Sequence, residues 1–153
     1  MAEHTATVSW QRGDQPFADG RYSRAHVWRF DGGAVVAASS SPHVVPQPYS
    51  DPTAIDPEEA FIAAISSCHM LWFLSIAARR GFVVESYTDH ATATLAANAA
   101  GKQAITEVTL HPVAAFGGER RPSAADIAGM HHDAHEECFI ANSVTCRITC
   151  VPG

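Results

Sequence analysis

The segments TATVSW and RYSRAHVWRF alternate apolar and polar positions with a period of two, and DGG followed by AVVAA supplies a turn and a return strand, so the chain opens on antiparallel strands. In the second strand the alternation puts Tyr22, Arg24, His26, Trp28 and Phe30 on one face, and Arg24 with three aromatic rings. Residues 39–55, SSPHVVPQPYSDPTAI with its preceding serine, carry four prolines and read as a long irregular loop, a feature often tied to function. Asp56 then caps a helix, with Pro57 at the first helical position and Glu59 three residues after the cap as a capping box. The helix is expected to run to about Arg80 and stop at Gly81. It is apolar nearly all round from Phe61 to Ala78, the mark of a central helix covered on most sides, some of that cover coming from another subunit.

Two alternating stretches follow, FVVESYTDHATATLAAN and KQAITEVTLHPVAAF, read as two strands joined across a turn at Gly101. Ser123 caps a second helix that places Ile127, Met130 or His131, Ala134 and Cys138 near one face. A last strand, SVTCRITC, lines up Val144, Cys146, Ile148 and Cys150. Strands, a core helix, strands, a second helix and a final strand make an α+β pattern, not a run of βαβ units.

The 153 residues fit one domain spanning 1–153, and a chain of this size buries roughly 70% of its unfolded surface. Sixteen acidic against ten basic residues give a net charge of −6, which disfavours nucleic acid as a partner. The N-terminus lacks a basic segment followed by an apolar one, and Ser66, Ser67, His69 and Ser75 interrupt the longest apolar run. Both facts argue against a signal peptide and a membrane span. Four cysteines without a secretory signal point to a reducing compartment, the cytoplasm, where a disulfide is more often catalytic than structural.

Among the cysteines, Cys146 and Cys150 read as small apolar residues of a strand face. Cys68 stands in SSCH, among small polar residues suited to a pocket. Cys138 ends its helix, where the dipole disfavours a thiolate, so it suits a resolving role better than an attacking one. Peroxide reduction by thiols needs a thiolate, a cation to lower its pKa and a second thiol to trap the sulfenic acid. Arg24 is the candidate cation and Glu58 its candidate partner, against an exposed first-turn carboxylate as the plainer role of Glu58. Glu58 and Cys68 are ten residues apart, roughly 15 Å along a straight helix, so they cannot touch within it. His131, His135 and Cys138, flanked by His132 and Glu136, share one helix stripe and offer a rival metal-binding reading, as does a solvated polar face. A hydrolase using Cys68 and His69 is disfavoured because adjacent helix residues diverge by about 100°. His26 and His43 read as packing or loop residues.

DPEEAFIAAISSCHMLWFLSIAARRGF resembles the core-helix motif of the OsmC/Ohr family of thiol-dependent hydroperoxide reductases, with Glu58 and Cys68 in the motif positions, and HEECFIANSV is similar to the family's second motif, with Cys138 in place. The resemblance implies an intertwined homodimer of OsmC-like fold, antiparallel strands around a long central helix. Its active sites would combine Arg24 (or Arg21), Glu58, Cys68 and Cys138. It implies reduction of organic hydroperoxides, including fatty acid hydroperoxides, through a Cys68 sulfenic acid and a Cys68–Cys138 disulfide, regenerated by a dithiol or a dithiol-carrying protein without metal or organic cofactor. Trp72, Phe73 and Phe139 read as core or as an apolar access pocket. A metal-binding protein and a non-catalytic ligand-binding member of the family are the alternatives.

Overall fold

Asp56 and Glu59 close the expected capping box: the Glu59 N–H donates to Asp56 Oδ1 at 2.7 Å and the Asp56 N–H donates to Glu59 Oε2 at 3.2 Å. From that cap helix α1 runs over Pro57–Arg79 and ends at Gly81, whose φ of 77° lies in the left-handed region that favours glycine. These elements come from a computed structural model that describes residues 1–153 and divides into two units, Met1–Ala60 and Phe61–Gly153.

The first unit holds one antiparallel sheet of β1 (Ala6–Ser9), β2 (His26–Phe30) and β3 (Val35–Ala38), in that order. Strand β2 is shorter than its alternation predicts. Its ladder with β1 stops at the Ser9–Val27 pair, and residues 21–25 form a loop in which the Ser23 N–H donates to Gln15 Oε1, the Arg21 N–H to Asp19 Oδ1 and Trp10 Nε1 to the Ser23 carbonyl. A strand needs a neighbour to pair with, and these local bonds take its place. Tyr22 and Arg24 therefore do not continue the strand face of His26, Trp28 and Phe30. The proline-rich segment after β3 is irregular as expected, with a strand-like pairing at the Ala38–Ile55 bridge.

In the second unit the two long strands expected before and after Gly101 each break in two. Strand β4 (Val83–Asp89) pairs with β7 (Pro112–Gly117), and β5 (Thr92–Ala97) pairs with β6 (Gln103–Leu110). The break has a side-chain cause: the His111 N–H donates to Asp89 Oδ1 at 2.7 Å instead of to a ladder carbonyl, and Pro112 has no N–H to offer. The last strand, β8 (Arg147–Cys150), is shorter than expected and pairs parallel to β6, so this sheet is not wholly antiparallel. Val144, Cys146, Ile148 and Cys150 nonetheless alternate inward as read.

Two cores result. Ile65, near the start of α1, packs with Val108 and Leu110 of β6, and Phe73, Ile76 and Ala77, further along, pack with Phe82, Met130 and Ala134. Met130 and Ala134 belong to α2 (Ala124–Glu137), which begins with a Ser123–Asp126 capping box. Along α1 the fully buried positions, Ile65, His69, Phe73, Ile76 and Ala77, form one stripe, while Ala64, Ser67, Leu71, Ser75 and Ala78 are exposed. The all-round apolar character therefore exceeds the cover this chain provides. At 23 residues, with an 18-residue stretch of mean hydropathy 1.8, α1 is long and apolar enough to cross a membrane. Two of its interrupting polar groups are bound within the protein: Ser66 Oγ donates to Asp89 Oδ2, and His69 pairs with His131.

Candidate active site

Cys68 lies midway along α1, half-buried, and Cys138 caps the C-terminus of α2 at 1% exposure. Cys138 is placed there because α2 ends in a turn that reuses its sulfur and carbonyl. The Ala141 N–H reaches Cys138 Sγ at 3.4 Å, and the Asn142 N–H and Nδ2 donate to the Cys138 carbonyl at 3.0 and 3.1 Å. Burial first, and the neighbouring Cys68 second, push the Cys138 thiol up to about 11. Both thiols are free. At neutral pH Cys138 keeps its proton, which makes it a poor attacking sulfur and a suitable donor toward Cys68.

The three apolar candidates near this pair divide. Phe73 is fully buried in the core, whereas Trp72 and Phe139 meet edge to face at 5.6 Å with Phe139 still 69% exposed. Phe73 thus belongs to packing, and the Trp72–Phe139 pair offers an apolar surface next in sequence to Cys138.

In the first unit Arg24 is held by its own loop. One guanidinium nitrogen donates to the carbonyls of Gly20 and Tyr22 at 2.7 and 2.5 Å, and the guanidinium lies 3.8 Å from the centre of the Tyr22 ring. Trp10, Phe17 and Tyr22 cluster with centroid distances of 4.7–5.9 Å, and these rings, Arg24 and His26 line an apolar depression of about 440 Å³. Arg21 is exposed. Glu58 is not simply a solvated carboxylate: its Oε2 is buried and has no hydrogen-bond partner. No ion pair joins Arg24 to Glu58; the chain's ion pairs are Arg80–Asp133 and Arg147–Glu107.

The histidine stripe on α2 does not gather its expected ligands. His131 turns inward and Cys138 is engaged with Cys68 and Ala141, so His131, His135 and Cys138 do not converge. His131 meets His69 instead, Nδ1 to Nε2 at 2.9 Å, with Cys150 Sγ 3.8 Å from His69 Nε2. Cys150, read as a core residue, and His69, weighed only as a neighbour of Cys68, belong to this cluster. The inward register of Cys150 was legible in the alternation of the last strand; its partners were not.

A long capped helix, a second helix ending at Cys138 and several small sheets define an α+β fold. The chain belongs to the OsmC-like protein family, whose model matches residues 50–151. It is similar over the full length of both chains to an OsmC-like protein of unknown function from Vibrio cholerae, at 52% identity and a TM-score of 0.98. An organic hydroperoxide resistance protein from Elizabethkingia anophelis has the same fold at 16% identity, with 99% of this chain and 94% of that one covered and a TM-score of 0.71. One from Bacillus subtilis has it too, at 16% identity, 99% and 98% coverage and a TM-score of 0.69. A comparison with curated proteins finds no match.

Proposed function

We propose that this protein is a thiol-dependent peroxidase acting on organic hydroperoxides, fatty acid hydroperoxides among them. The observation that carries the reading is the pairing of two free thiols, Cys68 and Cys138, from separate helices. In the first step the Cys68 thiolate attacks the peroxide O–O bond, giving Cys68 sulfenic acid and, with a proton, the alcohol. The Cys138 thiol then condenses with the sulfenic acid, forming the Cys68–Cys138 disulfide and releasing water. A dithiol, free or carried by a protein, reduces the disulfide and is itself oxidised.

Arg24 is assigned to hold the thiolate and polarise the peroxide, and Glu58 to orient Arg24. The unpartnered, buried Glu58 Oε2 supports this, since a carboxylate so placed needs a cation. The apolar depression around Arg24 supports a substrate with an apolar body. The exposed apolar stripe of α1, with Leu71 59% exposed, supports a homodimer in which a second copy covers it. The reading places the protein in a reducing compartment, the cytoplasm, where the disulfide is transient. Two of the proteins that share its fold bear the name of organic hydroperoxide resistance.

The test is one equivalent of cumene hydroperoxide added to reduced protein, followed by intact mass and peptide mapping without reductant. The expected result is a loss of two hydrogens and a peptide linking Cys68 to Cys138. Thiols that stay unreacted with excess peroxide would refute the activity and leave a ligand-binding role.

A further inference from the structure

Away from the two-cysteine pair, α1, α2 and β8 each bring one metal-ligating atom to the same place. His69 Nε2 is 2.9 Å from His131 Nδ1 and 3.8 Å from Cys150 Sγ, and the three atoms lie within 4.8 Å of one another. His69 and His131 are 1% and 4% exposed, and Cys150 is half-buried. Zinc binds nitrogen at about 2.0–2.1 Å and sulfur at about 2.3 Å, so tetrahedral coordination sets two nitrogens about 3.3 Å apart and nitrogen about 3.6 Å from sulfur. The two contacts of His69 differ from these by only a few tenths of an ångström, and His131 Nδ1 and Cys150 Sγ lie within 4.8 Å of each other. We propose that His69, His131 and Cys150 form a zinc-binding site.

The hydrogen bond between the imidazoles accounts for the 2.9 Å contact, but not for the thiol at its edge. Nor does it account for Tyr87 Oη, which is buried without a partner and lies within electrostatic reach of Cys150 and Asp89. A borderline-soft cation suits two imidazoles and one thiolate, and a water on that cation would give a buried phenol an acceptor. The fourth position is accounted for as well. His131, His135, Thr149 and Cys150 line an open depression of about 370 Å³, from which a water, or His135 one turn along α2, completes a tetrahedron.

The imidazoles are ready to ligate at neutral pH, and the thiol must first give up its proton. Burial, with the charge of His131, holds His69 down at about 4, and burial holds His131 at about 4, so both rings are neutral. Binding leaves both hydrogens on the outer nitrogens, His69 Nδ1 and His131 Nε2, freeing the facing lone pairs. Cys150, pushed up to about 11 by burial, gives up its proton: Cys150–SH and Zn²⁺ become Cys150–S–Zn and one H⁺ released to solvent. No electron moves. The site is independent of the peroxidase reading, because Cys68 and His69 leave α1 about 100° apart.

Reduced, metal-free protein should be titrated with Zn²⁺ against a chromophoric chelator and, separately, with Co²⁺. The expected result is one equivalent bound and a thiolate-to-cobalt charge-transfer band. Cys150→Ser should abolish the band and weaken zinc binding more than about 100-fold, beyond the loss typical of a residue that only supports a ligand. Cys68→Ser/Cys138→Ser should keep both, and His131→Asn should match Cys150→Ser. If His131→Asn loses its folded circular dichroism, the half-buried Cys150→Ser carries the test alone. Absence of stoichiometric binding would overturn the site. So would binding that survives Cys150→Ser and disappears in the Cys68/Cys138 double variant.

Discussion

Cys138, at the C-terminal cap of α2, has its thiol pushed up to about 11 by burial and by the neighbouring Cys68 thiol of α1. Two helices that start 67 residues apart by their first residues, Pro57 and Ala124, thus present the protonated Cys138 sulfur to Cys68. The arrangement assigns different parts to the two cysteines, and the variants should separate them.

Cys68→Ser is expected to lower peroxide turnover at least about 1000-fold, the scale of removing a nucleophile. Cys138→Ser should instead consume a single equivalent of peroxide and stop at a Cys68 sulfenic acid. Dimedone labelling with mass spectrometry distinguishes the two outcomes.

Arg24→Met should reduce kcat/KM for cumene hydroperoxide about 100- to 1000-fold, the loss seen when a donor to developing negative charge is removed. Arg21, exposed on the same loop, should tolerate the same change within about twofold. Steady-state kinetics on both variants decides which arginine acts, and equal losses would remove Arg24 from its role.

The raised pKa of Cys138 makes stability depend on alkali. The folded thiol titrates near 11 and the ordinary thiol near 9, so over this window the folded state holds more protons than the unfolded one. The stability contributed by the neutral thiol is complete below pH 9 and lost as pH rises through about 11. Denaturant melts of reduced protein should show a steeper decline from pH 9 to 11 than Cys138→Ala, in which only the remaining groups titrate.

Phe73 is fully buried, stacks on His131 at 4.2 Å and touches Tyr87 and Phe116, so Phe73→Ala should cost about 3–5 kcal/mol in a urea melt. Phe139→Ala, at a ring 69% exposed, should cost less than about 1 kcal/mol.

Sedimentation should give the mass of two chains. Leu71→Glu, placing a charge on the exposed stripe of α1, should shift it toward one chain while Ser75→Ala leaves it unchanged.

Much of this fold is written locally. The Asp56–Glu59 box, Gly81, the Ser123 cap and the inward alternation from Val144 to Cys150 depend on residues within a few positions of one another, and periodicity exposes them directly. The OsmC-like family was legible for a similar reason, since its two motifs are contiguous runs around Cys68 and Cys138. What local pattern overstated was strand length. RYSRAHVWRF alternates throughout, yet pairing ends where β1 leaves Ser9, and Asp89 divides the long hairpin by taking the His111 N–H.

Side-chain company was decided by the tertiary structure alone. No spacing places His69 against His131 or brings Cys150 to them, because the contact depends on β8 lying parallel to β6 after the chain has passed through α2. The sequence by itself determined the helices, their caps and which strand positions face inward, since these follow from backbone geometry over a few residues. The folded chain decided which buried groups meet, since distant side chains become neighbours only through the packing of the whole.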